Sequence, residues 1–276
     1  MQLFALDGSE TVFAEDAQKK LDYSCPECGD ILRIKEGAHR RKHFFHTNLK
    51  VHCRQKNKNG IHLLVQKYIY SKLPKGEAKL EHSFPTIHRI ADVAWITQKI
   101  IFEVQYSPIS LQEVQGRMED YQKVGYSVIW ILHDNRFNKK NLSAAEAYIR
   151  NFSSYFTSIG SKRENIIYDQ FELCYAAKRC YKGHKVPVQV DTPKTSSTFP
   201  NSEKLPKTLQ KRLQHSEYYF RGDLLDRAII NNASVQWMMK AEGKKPTASP
   251  FYVIWMKKIQ KMYFLLFFHL LKKLSG

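Results

Sequence analysis

The chain has 276 residues, a length that admits one large domain or two to three small ones. It carries 44 Lys and Arg against 26 Asp and Glu, and the resulting net charge of +18 favours polyanionic partners such as nucleic acid or acidic lipid. Residues 176–276 hold 19 of the basic and 6 of the acidic residues, so most of the excess charge lies there.

The beginning of the chain and its cysteines indicate a compartment. The first ten residues lack a basic region followed by an apolar stretch, which argues against a secretory signal. Five cysteines, two of them in a Cys-x-x-Cys motif, favour a reducing compartment and a metal site over disulfides. The longest strongly apolar run, residues 262–271, is about half as long as a membrane span. We therefore expect a cytoplasmic protein without a transmembrane segment.

Residues 1–55 are predicted to form a small, zinc-ribbon-like module. A Cys-x-x-Cys pair and a His-x-x-His pair are separated by a loop, an arrangement that allows four ligands to close around Zn²⁺. The predicted ligands are Cys25, Cys28, His43 and His46. The His pair is more closely spaced than is usual in zinc fingers, and nearby substitutes are His39, His52 and Cys53.

The loop between these pairs is basic. Arg40 and Arg41 lie next to Phe44 and Phe45, and together they can form a surface that contacts nucleic acid. The alternative is a β module with reduced cysteines, in which the two phenylalanines form the core.

The middle of the chain predicts alternating helices and strands. Apolar residues recur at helical spacing after Gly60, and short β-like segments follow. Ser110 and Glu113 form a capping box that begins a second helix, and Gly125 is a plausible C-cap. The predicted elements are a helix over 60–73, strands over 78–84, 88–96 and 99–105, a helix over 110–124 and a strand over 127–132.

Later segments are less regular in sequence. A further helix is expected over 143–159. Prolines interleaved with Ser, Thr and Lys indicate a linker over about 183–205. The last part is predicted to be helical, and residues 251–274 form a basic, aromatic stretch. Such a helix can lie on a membrane or a partner, or it can bury its apolar side in its own domain.

Two acids on neighbouring predicted strands suggest a metal site. Glu103 and Gln105 project to the same face of one strand, and a hairpin can place Asp92 beside them. A buried carboxylate is costly unless it is paired, protonated or metal-bound, and Mg²⁺ (or Mn²⁺) takes oxygen ligands beside a phosphate. This pattern predicts metal-dependent phosphodiester hydrolysis. Alternatively, the acids pair with Arg89 or Lys99 on a solvated sheet face.

Three further residues are candidates for the same site. Glu81 lies on the first of these strands and is spaced to neighbour Asp92. Arg117 and Tyr121 share a face of the second helix, where they can contact the phosphate or orient a water molecule.

Several motifs together carry a family resemblance. They are CPECG at Cys25, HFFH at His43, RIADV at Arg89, FEVQYSPIS at Phe102 and GYSVIWIL at Gly125. Over about residues 1–150 the chain resembles the competence protein CoiA family. The resemblance implies a PD-(D/E)xK nuclease fold and a role in DNA processing and recombination during natural transformation. It also implies that Asp92 and Glu103 hold the metal, with Gln105 where most members of the superfamily have lysine.

The glutamine departs from the pattern of that superfamily. A neutral amide can orient a water molecule but cannot supply positive charge. Lys67, on the preceding helix, is our candidate for the missing cation. Otherwise the metal does most of the work, or catalysis is weak or absent.

The resemblance and the predicted elements lead to one set of expectations. The fold class is α/β, with a restriction-endonuclease-like α-β-β-β-α-β core over 56–175, the zinc module over 1–55, and a linker and basic helical region over 176–276. The expected function is Mg²⁺-dependent DNA cleavage, with single-stranded DNA or recombination intermediates and recombination proteins as partners. The main alternative is a non-catalytic DNA-binding recombination mediator, and a remote one is a membrane-associated adaptor.

Overall fold

The structure, a computed structural model, describes residues 2–37, 40–48, 53, 60–161, 164–200 and 202–243. For Arg40, Arg41 and Asn232 it describes the backbone alone. Met1–Met239 form one unit, and Lys240–Gly276 form a second, of which residues 240–243 are described. The helix predicted over 251–274 therefore lies outside the described residues.

The N-terminal part of the chain forms an antiparallel sheet with the strand order β2-β1-β3-β4-β5. Its strands are β1 (Phe4–Asp7), β2 (Glu10–Phe13), β3 (Tyr23–Ser24), β4 (Ile31–Gly37) and β5 (Arg40–His46). The buried core beneath this sheet is small. Its large side chains are Tyr23, Leu32 and Phe44, and the other members are alanines and cysteines.

The second sheet is larger and mixed, with the strand order β12-β11-β10-β9-β8-β7-β6. Its strands are β6 (Ala78–Phe84), β7 (Arg89–Trp95), β8 (Ile100–Gln105), β9 (Ser127–His133), β10 (Ser154–Thr157), β11 (Ile167–Tyr175) and β12 (Lys178–Pro187). The β8–β9 and β9–β10 pairs are parallel, and the other pairs are antiparallel. Parallel neighbours need a crossover, and helices supply it here.

Helices cover both faces of this sheet. They are α1 (Gly60–Lys72), α2 (Leu111–Lys123) and α3 (Ala144–Ile149). On one face, Leu63 and Ile69 of α1 pack in the same core as Val93 and Phe102. On the other face, Tyr121 of α2 packs with Ile101, and α3 contributes to a separate core with β9 and β10. The prediction of a mixed α/β fold is thus confirmed.

The predicted capping signals of α2 are present. The Ser110 hydroxyl accepts a hydrogen bond from the Glu113 amide at 3.1 Å. Gly125 follows the helix with a φ of +76°, a conformation that glycine adopts without steric cost. The local sequence therefore sets the bounds of this helix.

Two predicted segments differ from the structure. The helix expected over 143–159 ends at Ile149, and Ser154–Thr157 instead forms β10, which is buried and parallel to β9. Residues 183–187, expected in a linker, belong to the edge strand β12, which pairs with β11. Pro187 ends that strand, which is where an edge strand tolerates proline.

The rest of the described chain contains both helices and strands. It forms α4 (Lys207–His215), α5 (Leu224–Ile230), α6 (Asn232–Gly243) and the antiparallel pair β13 (Pro193–Thr195) and β14 (Tyr218–Phe220). Single-turn 3₁₀ helices cover Pro85–Ile87, Ser196–Thr198 and Ser202–Lys204. In the described part of the chain, no helix combines the length and apolar character that a membrane crossing requires.

Candidate metal centres and active-site cleft

A cleft of about 970 Å³ lies where β7 begins and β8 ends, and where α1, β6 and α2 approach these strands. Its walls include both acids and bases. Its charged and titratable lining residues include Glu27, His62, Glu81, Asp92, Arg117 and Arg136. The cleft is thus the place where the predicted carboxylates can meet a ligand.

Asp92 occupies the inner wall of this cleft and is 7% exposed. One carboxylate oxygen, Oδ1, accepts from Gln66 Nε2 at 2.7 Å and lies 3.0 Å from His62 Nε2. The other, Oδ2, accepts from the backbone amide of Val104 at 2.8 Å. The last paired residues of β7 and β8 on this side are Val93 and Phe102. The Asp92 carboxylate therefore binds a backbone amide of β8 just beyond the point where the two strands stop pairing. These contacts rule out the alternative of Asp92 on a solvated sheet face.

Glu81 joins Asp92 from the neighbouring strand β6. Leu80 pairs with Val93 and His82 pairs with Ala91, which places Glu81 at the level of Asp92. Its φ of +48° is in the left-handed region, which is uncommon for a non-glycine residue and is frequent at functional sites.

The side chains of His62, Glu81 and Asp92 form a candidate metal site. One ligand atom from each of the three residues lies within 4.8 Å of the other two. Two carboxylates and an imidazole are suitable donors for a divalent cation. The structure thus brings Glu81 and Asp92 together as the sequence suggested, and it adds a histidine from α1.

Glu103 lies apart from this group, although it is on the adjacent strand. Its side chain is 1% exposed, and its oxygens bind the Tyr121 hydroxyl at 2.8 Å and the Arg117 guanidinium. Burial raises the pKa of Glu103 to about 7; Arg117 acts in the opposite direction and Asp92 adds to the increase. The second predicted magnesium ligand is therefore engaged with α2.

Replacing Glu103 with glutamine is expected to weaken the pH dependence of stability. In the folded protein the Glu103 carboxyl has a pKa of about 7, so it keeps a proton that the same carboxyl loses near pH 4.5 in the unfolded chain. Wild-type stability therefore falls as the pH rises from about 5.5 to about 8, by about 2 kcal/mol, and the variant lacks this contribution.

Urea unfolding at the two pH values measures the effect, with the exposed Glu119→Gln as the matched control. Parallel pH profiles for the wild type and Glu103→Gln would show that Glu103 does not titrate in this window.

The other two predicted catalytic residues, Gln105 and Lys67, also have partners outside the candidate metal site, although Gln105 lines the cleft. The Gln105 amide donates to the Ser107 carbonyl at 2.6 Å, which holds the turn after β8. The Lys67 ammonium pairs with Glu15 and lies 4.6 Å from the centre of the Phe13 ring. The structure thus turns Lys67 toward the N-terminal sheet, away from Asp92.

Of the predicted nucleic-acid contacts, the structure places one in the cleft and buries another. Arg117 lines the cleft, where it bridges Glu103 and Glu113. Tyr121 is fully buried, so its hydroxyl serves Glu103 and cannot reach a bound strand. The side chains of Arg40 and Arg41 lie outside the described residues.

A second candidate metal site lies in the N-terminal module. The group consists of Cys25, Cys28, His46 and Cys53, whose ligand atoms all lie within 4.8 Å of one another. The Sγ atoms of Cys25 and Cys53 are 3.7 Å apart, and Cys28 Sγ is 3.4 Å from His46 Nε2. Tetrahedral Zn²⁺ with bonds of about 2.3 Å to sulfur separates two sulfurs by about 3.8 Å. The donor set and its spacing therefore fit zinc.

This group differs from the predicted set by one member. Cys53, which the sequence offered as a substitute, takes the place of His43. His43 and His46 lie three residues apart on β5, and residues at an odd spacing along a strand point to opposite faces. Only one of the two histidines can face the cysteines while the strand stays regular.

Sequence reasoning missed several residues of the cleft. His62 and Gln66 are four residues apart on one face of α1, and that spacing was a usable signal. Arg136, which follows β9, is exposed at the cleft, and no carboxylate of the described chain forms an ion pair with it. Glu27 comes from the Cys-x-x-Cys turn, and nothing local in the sequence connects it with this cleft.

The comparisons with known proteins agree with the resemblance in the sequence. The model described as "Competence protein CoiA, N-terminal domain" matches residues 6–55, and "Competence protein CoiA, nuclease-like domain" matches residues 55–186. No curated protein and no solved structure matches the chain. Because the two models follow one another along well over half of its length, the chain belongs to the competence protein CoiA family.

Proposed function

We propose that this protein is a metal-dependent DNA nuclease that processes DNA during competence. The observation that carries the proposal is the meeting of His62, Glu81 and Asp92 on one wall of an open cleft. The match to a nuclease-like domain supports it, since this cleft lies within the matched residues 55–186, apart from Glu27.

The residues of the cleft divide into metal-binding and phosphate-binding groups. Asp92 and Glu81, with His62, would hold the cation. When bound, a divalent cation lowers the pKa of a coordinated water and stabilises charge on the phosphate. Arg117 and Arg136 line the same cleft and offer guanidinium groups to phosphate oxygens. Glu103 serves by holding Arg117 in place through their ion pair.

Zinc in this proposal has a structural role. Three thiolates and one imidazole complete a tetrahedral set and leave no position for substrate. The net charge of +18 attracts DNA from a distance, independent of its base sequence.

Replacing Asp92 with asparagine is expected to abolish metal-dependent cleavage while DNA binding survives. A loss of at least about 100-fold in rate is expected, because the cation would lose an anionic ligand that helps it stabilise the transition state. The assay uses labelled single- and double-stranded DNA with Mg²⁺, Mn²⁺ or EDTA, and it reports the substrate preference directly.

Glu119→Gln, which removes an exposed acid from α2, is the control for charge alone. Circular dichroism and DNA affinity show whether Asp92→Asn is folded. Undiminished cleavage by a folded Asp92→Asn protein, or binding without cleavage in every metal, would contradict the proposal.

One observation favours a second candidate, a non-catalytic DNA-binding recombination mediator. The Glu103 carboxylate is sealed by Arg117 and Tyr121, and Gln105 stands where the wider superfamily has lysine. In a mediator the nuclease fold is a scaffold, so Asp92→Asn retains full activity in strand annealing or exchange, and the wild type does not cleave DNA.

A further inference from the structure

We infer that the cleft holds its cation through an imidazole as well as two carboxylates, and that it therefore prefers Mn²⁺ to Mg²⁺. The inference rests on the proposed function, because it names the ion used by the same cleft. It concerns His62, Glu81 and Asp92.

The geometry of these side chains suits a single six-coordinate ion. Neighbouring ligand atoms around such an ion, with bonds of about 2.1 Å, are about 3 Å apart. His62 Nε2 and Asp92 Oδ1 are 3.0 Å apart, and all three ligand atoms lie within 4.8 Å of one another. Glu81 and Asp92 are each 7% exposed and His62 is partly buried, so the group also remains open to the cleft.

Gln66 provides a second, independent observation. It is fully buried on α1, and its Nε2 donates to both Glu81 and Asp92. Its Oε1 is buried and has no hydrogen-bond partner among the described residues. Within the part of the chain it describes, the structure thus carries a buried acceptor without a donor, which costs about 1–3 kcal/mol, while the same amide holds the two carboxylates side by side, as a shared cation requires.

The donor set decides the choice of metal. Mg²⁺ prefers a shell made entirely of oxygen and dehydrates reluctantly. Mn²⁺ accepts carboxylates equally well and, as a first-row transition metal, also binds imidazole. One nitrogen ligand beside two carboxylates thus favours Mn²⁺, while the same site without the histidine is a site for either ion.

The test titrates the zinc-loaded, full-length protein with Mn²⁺, whose binding is measured by electron paramagnetic resonance. A second titration with Mg²⁺ as competitor gives the affinity for Mg²⁺. We expect the wild type to bind Mn²⁺ at least about 10-fold more tightly than Mg²⁺. In His62→Asn the Mn²⁺ affinity should fall about 10-fold or more, and the Mg²⁺ affinity should change by less than about threefold.

His88→Asn is the matched control. His88 also lines the cleft, but it is exposed and has a φ of +53°, which asparagine tolerates well. Its Mn²⁺ affinity should equal that of the wild type. A second variant, His62→Gln, guards against a folding defect in His62→Asn, and thermal unfolding identifies a misfolded protein.

Equal affinities for the two ions in the wild type, or an unchanged Mn²⁺ preference in a folded His62 variant, would overturn the inference. This failure is distinct from failure of the proposed function. If His62→Asn cleaves DNA as well as the wild type does, with Mg²⁺ and with Mn²⁺, the nuclease proposal stands and His62 is excluded as a metal ligand. Binding of Mn²⁺ through His62 without any cleavage would keep the metal site and exclude the nuclease.

Discussion

Replacing Cys53 with serine is expected to remove zinc from the protein and to unfold its N-terminal sheet. Structural zinc binds with roughly 10–16 kcal/mol shared among four ligands, so losing one thiolate should lower the affinity about 100- to 1000-fold. Zinc content after dialysis against a weak chelator measures the first effect. Amide hydrogen exchange over residues 2–37 and 40–46 measures the second.

The N-terminal sheet is sensitive to this loss because its own core is small. Beyond Tyr23, Leu32 and Phe44, its buried members are alanines and two of the candidate zinc ligands, Cys25 and Cys53. A core of this size supplies little stability, and small domains of this kind commonly depend on a metal. The metal and the fold are thus expected to be lost together.

Two control variants make this test specific. Cys180→Ser removes an exposed thiol from β12, far from the cluster in sequence, and should leave zinc binding unchanged. His43→Ala tests the ligand that the sequence predicted. If His43→Ala loses zinc and Cys53→Ser retains it, the structural assignment of the fourth ligand is wrong.

Loss of zinc should also disturb the wall of the cleft. Glu27 lies between Cys25 and Cys28 in sequence and lines the cleft beside Asp92, and its carboxylate is 3.5 Å from Cys53 Sγ. The Cys25–Cys28 turn thus forms part of the wall of the candidate active site. This contact gives a physical reason for the two family domains to occur together in one chain.

Replacing Arg212 with methionine is expected to lower the free energy of unfolding by about 3–5 kcal/mol, because it leaves the buried Asp223 without its cation and leaves Asp169 with the more distant Arg150, at 3.5 Å. Arg212 is 2% exposed and lies 2.6 Å from Asp169 and 3.6 Å from Asp223. Tyr155 also donates to Asp223, at 2.8 Å. This network joins α4 and α5 to the large sheet.

Urea unfolding at about pH 7 measures the loss, and Lys211→Met, an exposed neighbour on α4, should change stability by less than about 0.5 kcal/mol. Burial raises the pKa of Asp223 to about 6, against the opposing effect of Arg212. The cost of Arg212→Met should therefore shrink near pH 5, where a protonated Asp223 no longer needs a cation. Equal stability of Arg212→Met and Lys211→Met would refute the assigned role.

The Arg212 network also has a consequence for truncation of the chain. The match to the nuclease-like domain ends at residue 186, whereas Arg212, Asp223 and Phe220 lie beyond it and are buried against the sheet. A fragment that ends near residue 186 would expose this side of the sheet and leave Asp169 without Arg212. Studies of cleavage should therefore use the full chain.

Local sequence determined the elements that surround the cleft. Helices α1 and α2 and strands β6 to β9 fall within one or two residues of their predicted bounds. Their signals are periodicity, a capping box and a C-terminal glycine, all of which act over a few residues. The predicted helix is wrong over residues 154–157 because helical spacing continues there through a short buried strand, whose partner, β9, lies elsewhere in the chain.

The sequence by itself thus determined the family, the positions of Asp92 and of the Cys25–Cys28 turn, and most of the elements between them. Only the tertiary structure decided which of the candidate side chains share a site: it chose Cys53 over His43 and Glu81 over Glu103, and it added His62. The reason is physical. The candidate ligand pairs His62–Asp92 and Cys25–Cys53 are separated by 30 and 28 residues along the chain. Whether a carboxylate faces a cleft or a guanidinium depends on how strands and helices pack, which no local pattern encodes.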